Sequence, residues 1–135
     1  MPTYNDADLI LRLYDLRREG VMRKAREWFI SWHPTTAEEA KSMCSDTSKQ
    51  ENAYVRQVTS FWEMAASLAN AGTVDADLYA KNSGEGVLLA TKCQVLKAKF
   101  PDAWTRSMPE TEAFIASNAI AQKKADIMKA RLAAK

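Results

Sequence analysis

The stretch Tyr54-Val55-Arg56-Gln57-Val58-Thr59-Ser60-Phe61-Trp62-Glu63-Met64-Ala65-Ala66-Ser67-Leu68-Ala69-Asn70-Ala71-Gly72 decides the fold class. Tyr54, Val58, Phe61, Ala65 and Leu68 follow one another at four, three, four and three residues, the repeat of one face of an α-helix. Val55, Trp62 and Ala69 widen that face. Gly72 stands where a left-handed C-terminal cap belongs, and Val74 is placed to fold back over the last turn. Upstream, Asp46 or Thr47 is positioned to open the helix.

The same punctuation recurs on both sides. Before it, Thr36 and Glu39 have the spacing of a capping box and predict a short helix through about Cys44. Pro34 ends the preceding segment at His33, because the residue before proline disfavours helix. That segment, Val21 to Trp32, places Val21, Ala25, Trp28 and Trp32 on one face, with Met22 and Phe29 beside it. Gly20 separates or weakens the join to a first helix capped by Asn5 or Asp6 and carrying Leu9, Leu13 and Leu16.

After Gly72, Asp75 caps a short turn holding Leu78 and Tyr79. Asn82 and Glu85 again have capping-box spacing, ahead of the stripe Leu89, Cys93, Leu96 and Phe100, which Pro101 stops. Pro109 fits the first turn of a last, long helix over 109–135, with Phe114, Ala121, Ala125, Met128 and Leu132 along one line and Asn118 within it. Only four Gly and four Pro are present and no segment alternates like a strand. The expectation is one all-α domain over 1–135, an irregular helical bundle of about five or six helices with a long C-terminal helix.

Composition narrows the function classes. No run approaches the roughly 18 apolar residues of a membrane span, and Met1 to Asp8 is polar and acidic, so no secretory signal is expected and the expected location is the cytoplasm. Cys44 and Cys93 then read as reduced thiols rather than a disulfide. Net charge is only +2, with an acidic middle (four Lys and Arg against eight Asp and Glu over 36–90) and a basic end (nine against four over 91–135).

Reactive constellations are scarce. His33 is the single histidine and no Cys-x-x-Cys pair exists, so neither a zinc site nor a Cys–His nucleophile is expected. Glu63, Asp75, Asp77 and Glu85 gather near one turn, the pattern that paired-carboxylate chemistry or a divalent cation would use, but Asp75 and Glu85 sit at cap positions. Ser83-Gly84-Glu85-Gly86 lacks the Lys-Ser/Thr ending of a phosphate loop. No catalytic residue, metal ligand or cofactor is expected.

Arg12, Arg17, Arg18, Arg23, Lys24 and Arg26, followed by Trp28, Phe29 and Trp32, form the densest basic segment, the arrangement a nucleic-acid strand would meet with phosphates on cations and bases on rings. Interleaved Asp15 and Glu19 dilute it. The terminal helix is the stronger interaction candidate, because Phe114, Ala121, Ala125, Met128 and Leu132 repeat at 7, 4, 3 and 4 residues, a helix–helix seam flanked by Ile120 and Ile127. Trp28, Trp32, Phe114, Ala121, Met128 and Leu132 are therefore the expected contact surface of a homo-oligomer or protein partner. Nucleic-acid binding through 12–26 and a carboxylate-based, metal-dependent enzyme are the alternatives.

The run from Phe61 to Tyr79, with Gly84-Glu85 after it, resembles a family of small bacterial helical proteins of unknown function, in which an aromatic-Glu helix, a Gly-x-hydrophobic-Asp turn and a short helix recur. The resemblance implies a helical fold and a bacterial or phage-like origin. It brings no catalytic residues. Some of those proteins carry an N-terminal membrane segment that this sequence lacks.

Overall fold

The computed structural model describes residues 1–134, and among them it contains eight helices and no strand. In chain order these are α1 (Tyr4–Arg17), α2 (Gly20–Ser31), α3 (Ala37–Ser45), α4 (Gln50–Asn70), α5 (Ala76–Asn82), α6 (Gly84–Lys99), α7 (Pro109–Ser117) and α8 (Ala119–Ala133). The stretch that decided the class is the hub, for α4 touches α2, α3, α5, α6 and α7. Its inward face carries Val55, Val58, Phe61, Trp62, Ala65, Ala66 and Ala69, all buried. Burying each large apolar side chain contributes about 1.5–3 kcal/mol, so this face dominates the core.

The expected count of five or six helices is too low. Gly20 breaks rather than weakens the join, since α1 ends at Arg17 and Glu19 caps α2 by accepting from the backbone N–H groups of Val21 and Met22 at 3.1 and 3.0 Å. The turn after Asp75 is a complete helix, with the Asp75 carboxylate accepting from Leu78 N–H at 2.9 Å.

The long C-terminal helix is two helices. Asn118 divides it: its Oδ1 accepts from Ala121 N–H at 3.0 Å, capping α8, while its Nδ2 donates to Asp77 Oδ1 at 3.0 Å. One side chain thus starts a helix and ties it to α5. The last residue of the expected span, Lys135, lies outside the described residues.

Other punctuation forms where the sequence places it. Thr36 Oγ1 accepts from Glu39 N–H at 3.2 Å, and Glu39 reaches back to Thr35 N–H at 3.3 Å. Gly72 adopts φ +81, a conformation that costs a residue with a Cβ, and buried Val74 closes the turn behind it. At the start of α1 the cap is Thr3 instead of Asn5 or Asp6, with Asp6 completing the box.

Candidate functional site

The predicted site residues are dispersed by the fold. Phe114 and Ala121 are buried in the chain's own core, Phe114 edge-on to Tyr79 with ring centroids 5.0 Å apart. They are therefore absent from the surface expected to meet a partner. Met128 is half-buried against the same core, and Leu132 is half-buried beside a hollow that includes Pro34 and Lys92. The stripe seen in the sequence is the seam by which the chain's own terminal helices close on α4 and α6.

Trp28 and Trp32 are half-buried and stack on each other at 5.3 Å. Trp32 also meets Trp104 at 5.8 Å, and Phe29 stacks on Trp104 at 6.1 Å. This aromatic cluster pins α2 to the loop before α7. The buried face of α2 is Met22, Ala25 and Phe29, whereas Val21, expected inside, is half-exposed at 52%. Lys92 fastens the same C-terminal end of α2: its buried ammonium donates to the carbonyls of Phe29 and Ile30, where a cation complements the helix dipole.

The basic segment does not make one positive face. Arg12 pairs with Asp8 at 3.1 Å. The guanidinium of Arg17 lies 4.8 Å from the Tyr14 ring centroid and that of Arg18 5.5 Å from it. Arg26 turns inward, where its Nε stands 2.7 and 2.8 Å from the two oxygens of Glu85. Glu85 Oε2 also accepts from the Trp62 indole N–H at 2.9 Å. Of the segment's six cations, Arg18, Arg23 and Lys24 are exposed and make no ion pair with the described residues.

The Arg26–Glu85–Trp62 linkage joins α2, α6 and α4, and replaces the Asn82–Glu85 capping box expected from spacing. Gly86 makes it feasible. A Cβ there would lie 2.8 Å from the Trp62 ring, so the indole rests directly on the α6 backbone.

The acidic turn is likewise divided among helix ends. Glu63 accepts from the backbone N–H groups of Glu110 and Thr111 at 3.0 and 2.8 Å and from the Thr111 hydroxyl at 2.8 Å, capping α7. Asp75 caps α5, and Asp77 receives Asn118. Among the described residues no group of three or more His, Cys, Asp or Glu side chains is placed to hold a metal ion. Cys44 is half-buried, and burial pushes the Cys93 thiol up to about 12, far from a nucleophile's range.

Helix α1, expected from Leu9 and Leu13, has a second apolar face that the sequence pattern of those leucines conceals. Its inner face docks through buried Leu13, half-buried Leu9 and Ile10, and Asp6, whose Oδ1 accepts from Asp75 N–H at 2.9 Å. Its outer face carries a second line, Tyr4, Ala7, Leu11, Tyr14 and Arg18, at spacings of three, four, three and four. Tyr4, Leu11 and Tyr14 are 95%, 66% and 47% exposed. The signal was present at coiled-coil spacing, but the inner leucines of the same helix masked it.

A family model described as a domain of unknown function, DUF4760, matches residues 2–100. The chain belongs to this family. The DUF4760 match takes in α1 to α6, and with them both the outer line of α1 and the Arg26–Glu85–Trp62 linkage. Helices α7 and α8 follow it and pack on α4 and α6. No curated protein and no solved structure matches the chain. Among the described residues no helix is long and apolar enough to cross a membrane.

Proposed function

We propose that this DUF4760 chain is a non-enzymatic helical interaction protein that pairs with a second copy of itself through the outer face of α1. The observation that carries the reading is the solvent-facing line Tyr4, Ala7, Leu11, Tyr14 and Arg18, the repeat that one helix presents to another. Apolar area left in water costs about 25 cal/mol per Å², which pairing recovers.

The line is complementary to itself when two copies run antiparallel about Leu11. Ala7 then faces Tyr14 of the other chain, small against large, and Tyr4 faces Arg18, ring against guanidinium. Each contact is made twice, as a two-fold axis requires. Helix α1 has 14 residues, a rod of about 21 Å, so the buried area falls below the roughly 800 Å² per partner of a standard interface and a weak, reversible dimer is expected.

Sedimentation equilibrium at concentrations reaching the millimolar range tests it. Leu11→Glu should abolish the dimer without changing the thermal melt, and Leu11→Cys should cross-link at the two-fold axis where Ile127→Cys does not. A monomer throughout, or association untouched by Leu11→Glu, overturns the proposal. Nucleic-acid binding has less support, because Arg12 and Arg26 are committed to carboxylates. The carboxylate-enzyme reading has less again, since Glu63, Asp75 and Asp77 serve three different hydrogen-bonding duties.

A further inference from the structure

We infer that the cleft between α1 and the α5–α6 corner is a binding site for a small amphipathic organic anion, one acidic head on an apolar body. The cleft has a volume of about 520 Å³, within the roughly 300–1,000 Å³ of small-molecule sites. Its apolar part is built by Ile10, Leu13 and Trp62. Its charged part is built by Arg17, Lys81 and Lys124, with Glu85 the one carboxylate among its walls.

Glu85 does not balance those cations. Its two oxygens already take Arg26 and the Trp62 indole, and Arg26 lies outside the cleft. Among the described residues no carboxylate stands at ion-pair distance from Arg17, Lys81 or Lys124. Lys124 spends two donations on the carbonyls of Ala80 and Lys81, at 2.8 and 3.1 Å, yet keeps its charge.

Arg17 gives the most specific sign. Its Nε–H is buried in the protein with no hydrogen-bond partner. An unmet buried donor costs about 1–3 kcal/mol, more when charged. Arg17 lines the cleft with no carboxylate at ion-pair distance among the described residues, so an acidic head seated there supplies the missing counter-charge. A neutral ligand would leave that charge unmatched, and a cation would be repelled. The apolar walls and the indole then select the body.

Leu11 and Tyr14 of the outer line of α1 also edge the cleft, whereas Arg17, Lys81 and Lys124 lie off that line. The titration is therefore made at micromolar protein, below the range of the weak dimer, where its failure is distinct from a failure of self-association. The test is calorimetric titration of the intact protein with octanoate, octanol and octylammonium, with the Trp62 indole N–H followed by NMR. We expect one saturable octanoate site per chain that shifts the Trp62 signal, and no saturable binding of octylammonium. Loss of a charged hydrogen bond predicts that Arg17→Gln weakens octanoate about tenfold or more. Lys81→Gln, on an exposed residue whose loss leaves folding intact, should weaken it about two- to threefold by charge alone. Absence of saturable octanoate binding, equal binding of octanol, or octanoate binding unchanged in both variants overturns the assignment.

Discussion

Helices α4 and α1 both carry apolar residues at helical spacing, yet one is enclosed by five neighbours and the other packs chiefly on α2 and α5. In α4 nine residues are buried, including the polar Asn52 and Thr59, whose side chains bond to the carbonyls of Met43 and Val55 at 2.8 and 2.6 Å. In α1 only Leu13 is buried, while a second apolar line faces solvent. Periodicity announces a helix with something to pack against. It does not say how many partners there are, or whether they belong to the same chain.

The sharpest way to break this contrast is to truncate one residue of each helix. Trp62→Ala should cost about 3–5 kcal/mol, with a lowered denaturation midpoint, because it opens a core cavity and removes one hydrogen-bond donor to Glu85. Leu11→Ala should stay within about 0.5 kcal/mol in the monomer and act on self-association instead. A strong loss from Leu11→Ala would mean that α1 is structural on both faces.

Next in size is Glu85→Gln. The shape is kept, but Arg26 is left as a largely buried cation without its counter-charge, at a cost of about 3 kcal/mol in denaturant unfolding. Asn118→Ala removes the cap of α8 and its bond to Asp77, and about 1 kcal/mol should be lost. If α7 and α8 instead fuse into one straight helix, stability would be retained and helical content would rise.

Acid should separate the two regions further. The backbone N–H of Thr3, and then that of Asp75, hold the Asp6 carboxyl below its ordinary value of 3.8. A lowered folded value means that the stabilisation is complete above the unfolded value and lost as pH falls through the folded one. Hydrogen exchange should therefore show α1 loosening below about pH 4 before α4 does, and Asp6→Asn should remove most of that pH dependence. The smallest effect is chemical: a thiol reagent should modify half-buried Cys44 first and reach Cys93 only on opening of the core.

Much of the fold was legible because its signals are local. The Thr36 cap, the left-handed Gly72, the cap at Asp75 and Pro109 at the first turn of α7 all depend on residues within a few positions of one another. The errors share a different cause. Glu85 had the spacing to cap α6 but is captured by Arg26, 59 residues away, and by Trp62. Asn118 looked like a polar member of a continuous stripe until Asp77, 41 residues away, gave its amide a second partner. Lys92 lies between Leu89 and Cys93, and only the fold shows that it is buried and fastens the end of α2.

The sequence by itself determined that the chain is helical and where most helices stop. Those properties follow from backbone hydrogen bonding and side-chain periodicity, which act over one or two turns. Only the tertiary structure decided which apolar stripe is spent inside the molecule and which is left exposed. It also decided that Arg26 is structural while Arg17 is left with an unmet donor. Those outcomes depend on which side chains meet across distant segments, and helical spacing carries no information about that distance.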